Sequence, residues 1–408
     1  MNSCKSVPDV GIDAIALSVP RGYVELSELA EARGVPPSKY SNGLGMRRMA
    51  IAAPDEDPVT LAVNAARRLF ERSGASPAEI GLCIVGTETA VDHSKPVTAF
   101  VHGLLDLPST CRIFEAKHAC FGGTAGLLSA VDWIASGSAR GRAALVVCTD
   151  IARYPLRSAG EPTQGAGAVA LLVRENPRLL SLDVGQTGTF ARDVHDFWRP
   201  LHHKEALVDG HYSVQCYLDA LEGAYDAWRR LDGATDEPLV RTCYHVPYGK
   251  MARKAHRHRR MLDGLTEEAA DASFVAEVEP SLDLPSRIGN VYTGSLYLAL
   301  ASLLNTQARE LAGQRIGLFS YGSGCCAEFF AGRTNPEAAE LVARLEIDGP
   351  LRDCHRMTVA EYERLRAEDA VADGRPAPKR APGGTANEGG RAVYLGVDSN
   401  ERRVYAYA

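Results

Sequence analysis

No two of the ten cysteines stand in a C-x-x-C arrangement, so the sequence offers no pattern for a structural zinc site. Ten cysteines among 408 residues are also too thinly spread for a disulfide scaffold; reduced thiols in a cytoplasmic protein fit better. No apolar run approaches the ~20 residues that cross a bilayer, and Met1 to Val10 is polar, without the apolar centre of a signal peptide. Positive charge is in deficit. With 45 Lys and Arg against 51 Asp and Glu, the net charge is −6, which gives no overall basic face for nucleic acid. No short repeat of the solenoid kind occurs. What is present is ordinary globular usage, 45% hydrophobic and 24% charged, in a chain long enough for a large core built as two domains or one duplicated unit.

One stretch organises the rest: Lys117-His118-Ala119-Cys120-Phe121-Gly122-Gly123-Thr124. It runs into a helix, since Leu127, Leu128 and Val131 recur at helical spacing. Cys120 then lies just ahead of the first turn, where the helix dipole and unpaired backbone N–H groups favour a thiolate, the form that attacks a thioester. Gly122 and Gly123 allow other groups close to the sulfur. On these local features a small buried cysteine at a tight turn fits as well as a nucleophile.

Along the chain, apolar strands alternate with amphipathic helices. Strands are expected at Gly11–Val19, Leu82–Gly86, Ile113–Glu115, Ala144–Cys148 and Gly165–Val173, with helices at Glu25–Ala32, Pro58–Ser73, Thr98–Leu105 and after Cys120. The alternation then restarts. Strands are expected at Leu179–Val184, Leu239–Val246 and Ile316–Tyr321, and helices at Tyr217–Arg230 and within Asn290–Leu304. Two such rounds predict an α/β protein of two similar halves, 1–175 and 176–408, joined near Arg174 to Arg178. Asp373 to Arg391, rich in Pro, Gly, Ala and cations, reads as a flexible stretch. Ala392–Val397 and Arg403–Tyr407 read as a closing hairpin.

Four polar residues follow strands or open helices, where α/β proteins place their sites: Glu88, Cys120, His245 and Asn290. Taken singly, each has a plainer explanation. Glu88 fits a solvated loop, His245 a satisfied core histidine, and Asn290 a turn or cap. Taken together they form a thiol nucleophile, an imidazole and a carboxamide to polarise a carbonyl, and a carboxylate base for an acyl methyl group. This chemistry calls for no metal.

These residues lie in motifs that resemble 3-hydroxy-3-methylglutaryl-CoA synthase. The motifs are Val85-Gly86-Thr87-Glu88, the Cys120 stretch, Thr149-Asp150-Ile151-Ala152-Arg153-Tyr154, Gly160-Glu161-Pro162-Thr163-Gln164-Gly165-Ala166-Gly167-Ala168 and Asp196-Phe197-Trp198-Arg199-Pro200, continued by His245-Val246-Pro247-Tyr248-Gly249-Lys250-Met251, Gly289 to Ser295 and Phe319 to Gly324. The match runs in order from about Gly11 to Gly332. The resemblance implies a thiolase fold, with two pseudo-repeated halves in a layered αβαβα core, packed as a homodimer. It implies that Cys120 carries an acetyl group, that Glu88 removes a methyl proton, and that the enolate attacks a β-ketone bound by His245 and Asn290. His245 would protonate the new alkoxide. The N–H groups of Cys120 and near Ser323 would form an oxyanion hole. Lys250, Tyr154 and Gly165 are further substrate-binding candidates, and Asp150 and Asp196 are supports. No permanently bound cofactor is implied; phosphopantetheine thioesters are the substrates.

Asp57-Pro58-Val59-Thr60 with Val63-Asn64-Ala65-Ala66, and Gly324 to Phe330, are more similar to the polyketide β-branching synthases than to the mevalonate enzyme. That resemblance implies donor and acceptor acyl carrier proteins as partners and a carboxymethyl branch as product. The basic run Lys250, Arg253, Lys254, His256, Arg257, His258, Arg259 and Arg260 fits a positive rim that steers acidic carriers, a site for coenzyme A phosphates, or a solvated helix face. Three alternatives remain open: the mevalonate enzyme, a ketoacyl-synthase-III-like enzyme using only Cys, His and Asn, and a non-catalytic carrier-docking partner. Phe121 departs from the family's usual tyrosine, Tyr248-Gly249 from its usual pair ahead of Lys250, and Cys325-Cys326 fits packing.

Overall fold

Asp57 decides where the longest helix of the first half begins. Its side chain accepts from the Thr60 N–H at 2.8 Å, while the Thr60 hydroxyl accepts from the Asp57 N–H at 2.8 Å. Pro58 opens the helix, whose span is Pro58–Ser73 (α1), and Gly74 ends it in the left-handed conformation. Leu61, Ala62, Ala65, Ala66 and Leu69 are buried along one side, as the periodicity predicts.

The computed structural model describes residues 8–203, 205–231, 237–371 and 390–408. Nine strands share one large sheet: β1 (Val10–Ser18), β2 (Ile80–Gly86), β3 (Arg112–Ala116), β4 (Ala143–Ala152), β5 (Gly165–Glu175), β6 (Leu180–Ala191), β7 (Arg241–Tyr244), β8 (Arg315–Gly322) and β9 (Cys326–Thr334). Their order is β7-β8-β9-β6-β1-β5-β4-β2-β3. Read outward from the centre, the two sides repeat one pattern. β1, β5 and β4 are mutually antiparallel neighbours and β2 is parallel to β4. In the same way β6, β9 and β8 are antiparallel neighbours and β7 is parallel to β8. A single three-residue ladder, Val10–Ile12 against Leu180–Leu182, joins the sides.

The helices repeat the pattern too. Further helices are α2 (Gly122–Ala135), α3 (Gly210–Arg229), α4 (Gly249–Leu262) and α5 (Ser295–Gln307). α1 covers β1, β4 and β5; α3 covers β6, β8 and β9. α2 and α5 lie between the two sides, where the Thr124 hydroxyl bonds Tyr297 Oη and Ser320 Oγ, both at 2.8 Å. The result is the αβαβα layering, with α2 and α5 in the middle layer. The turn between β5 and β6 falls at 176–179.

Several elements depart from the sequence reading. β4 runs on through Ala152, so Asp150 lies in the strand and not in a closing loop. β9, a hairpin partner of β8, and a small sheet of Gly22–Glu25, Arg48–Ile51 and His355–Arg356 have no forerunner there; the strands of the small sheet find their partners far away in sequence. The closing hairpin forms as expected and is fastened to α1. Asn64 exchanges two hydrogen bonds with Ala392, and Asp57 Oδ2 accepts from Arg403 at 2.6 Å and Tyr405 at 2.8 Å. The Asp57-to-Thr60 and Asn64 motif, taken as a sign of substrate class, is thus a structural anchor. Of the 373–391 stretch only Gly390 and Arg391 lie within the described residues. Among those residues no helix is long and apolar enough to cross a membrane, and the nine cysteines are free.

Candidate active site

The duplicated topology puts the candidates at equivalent corners of the two halves. Glu88 follows β2 by two residues, and His245 directly follows β7, the equivalent strand. Cys120 lies two residues ahead of α2, and Asn290 lies ahead of α5 through one tight turn, Tyr292–Gly294. All four sit at strand or helix ends, where side chains can converge without breaking a ladder.

Cys120 Sγ lies 3.3 Å from Glu88 Oε1, across 32 residues of chain. Two features produce that approach. Ala119, just before the sulfur, is held at φ +40°, a left-handed conformation that costs a non-glycine residue roughly 1 kcal/mol or more. Glycines then let the β2 and α2 backbones touch. A Cβ on Gly86 would lie 2.5 Å from Gly123 N, and one on Gly123 would lie 2.5 Å from Cys148 Sγ and 2.6 Å from Thr293 O. We expect Gly123→Ala to cost about 1–3 kcal/mol of stability and to slow acylation of Cys120. Thermal unfolding and the rate of acetyl incorporation test both effects.

Asp150 is the hub beneath this contact. Fully buried, its Oδ1 accepts from Thr87 Oγ1, the Glu88 and Thr89 N–H groups and Thr89 Oγ1, at 2.8–3.0 Å. Its Oδ2 accepts from Thr293 N–H at 3.0 Å and Thr293 Oγ1 at 2.6 Å. One carboxylate therefore ties the Glu88 loop to the turn after Asn290.

The electrostatics follow from burial. Burial, and then the Asp150 charge, push the Glu88 carboxyl up to about 8. Burial first, and then the Glu88 carboxylate, hold the Cys120 thiol well above its ordinary range. This corrects the expectation of a resting thiolate. The helix terminus is in place, but desolvation and the nearby Glu88, Asp150 and Asp196 carboxyls outweigh it, and the thiol rests as a hydrogen-bond donor to Glu88. Burial pushes the His245 imidazole down to about 3, so at neutral pH the ring is neutral.

Around the sulfur, Tyr154 and Tyr292 are buried, with Phe197 and Cys120 packed against them. Asn290 Oδ1 accepts from the Tyr292 N–H at 2.9 Å and Ser295 Oγ at 2.8 Å, which turns its NH2 toward the Tyr154 hydroxyl. Asp196, fully buried, orders the Ser323 loop: it accepts from Gly324 N–H at 3.0 Å and Tyr321 Oη at 2.6 Å. Gly322 packs against the backbone of His118 and Phe121, which brings that loop to Cys120. His245 has its main chain held by Phe319 O and Tyr217 Oη, both at 2.8 Å. It connects to Asp196 through the Tyr217 and Tyr321 rings, 5.1 Å apart.

Two candidates lie elsewhere. Lys250 is exposed at the start of α4, with its N–H on Leu44 O at 2.9 Å. Gly165 packs against the Ile288–Asn290 backbone, so its place in the fold is to seat Asn290. The basic run is not a solvated face, and little of it is a rim. Arg257 pairs with Glu267 and Asp271, Arg259 is buried against Tyr244 with Asp263 and Glu277, and Arg260 joins the same two carboxylates. His258 meets Glu222, and His256 is buried on Ser273. Lys250, Arg253 and Lys254 remain without a carboxylate partner among the described residues. The sequence reading missed Thr87, Thr89, Thr293 and Arg199 as individuals, although Thr87, Thr293 and Arg199 stand inside motifs it quotes and Thr89 directly follows one. Nothing local marks them, because their hydrogen-bond partners come from distant segments.

Residues 6–177 match the family model described as hydroxymethylglutaryl-coenzyme A synthase N terminal, and residues 180–272 and 256–407 match its C-terminal counterpart. The chain belongs to the hydroxymethylglutaryl-CoA synthase family. It is 38% identical to hydroxymethylglutaryl-CoA synthase of Enterococcus faecalis, over 89% of this chain and 93% of that one. It is 37% identical to the polyketide biosynthesis 3-hydroxy-3-methylglutaryl-ACP synthase PksG of Bacillus subtilis, over 87% of each. Among solved structures it is similar to MvaS in complex with 3-hydroxy-3-methylglutaryl coenzyme A, with TM-score 0.90 and 50% identity over 98% and 99% of the chains. It is also similar to the curacin pathway HMG synthase in complex with holo donor-ACP, with TM-score 0.88 and 33% identity over 98% and 100%. The fold is therefore the thiolase fold of this family, and the protein is a condensing enzyme that transfers an acyl group and forms a carbon–carbon bond.

Proposed function

We propose that this synthase takes both substrates from acyl carrier proteins and forms its new bond on Cys120, with Glu88 moving the protons. The contact between Cys120 Sγ and Glu88 Oε1 carries the reading. As the thiol attacks a donor thioester, its proton passes to Glu88 and on to the departing carrier thiol, which frees the carboxylate again. Glu88 then takes a proton from the methyl group of acetyl-Cys120. The enolate carbon attacks the acceptor's β-ketone and an alkoxide forms. The Asn290 NH2 and the His245 N–H steady that oxygen. The resemblance has His245 release a proton to it. A neutral buried imidazole has an N–H to share and no proton to spare, so we assign the alkoxide's proton to Glu88, which has just acquired one. N–H groups of Cys120 and the Ser323 loop face the thioester oxygen, and water then cleaves the product from the sulfur. On a polyketide acceptor the result is a β-carboxymethyl branch.

Carrier proteins as the delivery form are supported by the likeness to PksG and to the curacin synthase bound to its donor carrier. The likeness to MvaS supports coenzyme A instead. The test compares acetyl and acetoacetyl groups on coenzyme A with the same groups on carrier proteins. We expect kcat/KM at least tenfold higher on carriers. Equal rates on both return the chain to the mevalonate reaction. Mass spectrometry after incubation with an acetyl thioester should find the acetyl group on the Cys120 peptide; its absence would favour a docking role. The same reading has the chain as a cytoplasmic homodimer, which light scattering checks.

A further inference from the structure

Glu88 is gripped from both ends of its main chain. Asp150 on β4 holds its N–H at 2.9 Å, and Arg199 Nη2 donates to its carbonyl oxygen. Arg199 does not come from the half that carries Glu88. It follows a two-strand ribbon, Phe197–Trp198 paired with Leu207–Val208, set between β6 and α3. Arg199 directly follows the first strand of that ribbon, two residues after Phe197. Phe197 enters the pocket: its ring centroid lies 6.4 Å from that of Tyr154 and 5.9 Å from that of Tyr292, beside Cys120. The ribbon therefore delivers an aromatic wall to the acyl site and a guanidinium to the main chain of Glu88 from one insertion. Arg199 makes no ion pair among the described residues, so its charge is not spent on another carboxylate.

We infer that Arg199 is the positioning residue for Glu88, aiming its carboxylate at the acyl group on Cys120 and supplying the local positive charge that lets it act as a base near neutral pH. The inference rests on the reading of Glu88 as the base. The groups that face Glu88 are Asp150, Cys120, Tyr154, Tyr292 and Arg199. Asp150 works against an ionised Glu88, while Arg199 is the one cation of the set. Burial and Asp150 already leave the Glu88 carboxyl at about 8 with Arg199 in place. Without Arg199 it titrates higher, because the Arg199 charge draws the Glu88 value down, and a close opposite charge is worth about one pH unit or more.

The test measures acetyl-Cys120 formation and condensation separately from pH 6 to 10, in wild type, Arg199→Gln, Arg199→Lys and Glu88→Ala. Arg199→Gln should still form acetyl-Cys120, as Glu88→Ala does, so that condensation can be followed from preformed acetyl-enzyme. Its condensation should rise with pH along a curve displaced upward by about one pH unit or more, equivalent to a loss of about tenfold or more at pH 7 that recovers in alkali. Arg199→Lys keeps the charge and loses the planar fork, so its midpoint should return toward wild type while its plateau stays low. An unmoved midpoint in Arg199→Gln, whether the rate is unchanged or uniformly lower, overturns the inference while Glu88→Ala remains inactive. Condensation surviving in Glu88→Ala overturns the base assignment itself.

Discussion

Glu88→Ala should stop at the acetyl-enzyme. Removing the side chain takes away a proton acceptor, but it also takes away the negative charge that holds the thiol protonated, so acetyl-Cys120 still forms. The next step has no base. General-base catalysis contributes about 10²–10⁴-fold, and condensation should fall by that factor when single-turnover product is measured from preformed acetyl-enzyme. A condensing enzyme that relies on Cys, His and Asn alone would keep its rate, and that outcome would overturn the aldol assignment. The wild type supplies a matching signature. A base that titrates at about 8 is mostly protonated at pH 6.5, so condensation should climb through pH 8 and level off above it. The stability sign separates this loss from misfolding. A carboxyl raised in the folded protein binds its proton more tightly there than in the unfolded chain. Its contribution is complete below the free carboxylate range and is lost as pH rises through about 8. Glu88→Ala carries no such penalty, and above pH 8 it should resist urea at least as well as the wild type.

Asp150→Ala should do more damage, of a different kind. It strands the main-chain N–H groups of Glu88, Thr89 and Thr293 together with the Thr87, Thr89 and Thr293 hydroxyls. An unsatisfied buried donor costs about 1–3 kcal/mol, and with water filling part of the gap we expect a loss of at least about 3 kcal/mol. Both half-reactions should fail, since the Glu88 loop and the Asn290 turn lose their common tie. Asp150→Asn keeps the shape and removes the charge that lifts Glu88, so whatever condensation survives should have its midpoint moved down, opposite to Arg199→Gln. A urea midpoint and condensation rate within twofold of wild type in Asp150→Ala would show that the hub holds nothing up.

Much of the architecture was legible in the order of residues. The capped helix at Asp57, the buried apolar strands and the helix after Cys120 each depend on interactions within a few residues, which a short window of sequence contains. Ordered motifs placed Cys120, Glu88, His245 and Asn290 before any geometry was known. Their signal was their setting at strand and helix ends, not anything special in each residue. The basic run shows the limit. Eight basic residues in eleven positions looked like surface charge, yet Arg259 is buried between two tyrosines and Glu277 from other segments, with Asp263 one turn along its own helix.

By itself, then, the sequence determined the succession of elements, the duplication and the family, and it singled out the four candidate side chains, because all of these are written in local periodicity or contiguous motifs. Only the tertiary structure decided how those side chains behave. It put a thiol and a carboxyl 32 residues apart into contact, half-buried both beside Asp150, and so kept the thiol protonated and raised the acid. It made Asp150 the tie between two loops and made the Asp57 motif the anchor of the closing hairpin. The reason is physical: a proton's affinity depends on the charge and solvent within a few ångströms, and those neighbours are chosen by packing between segments that are distant along the chain.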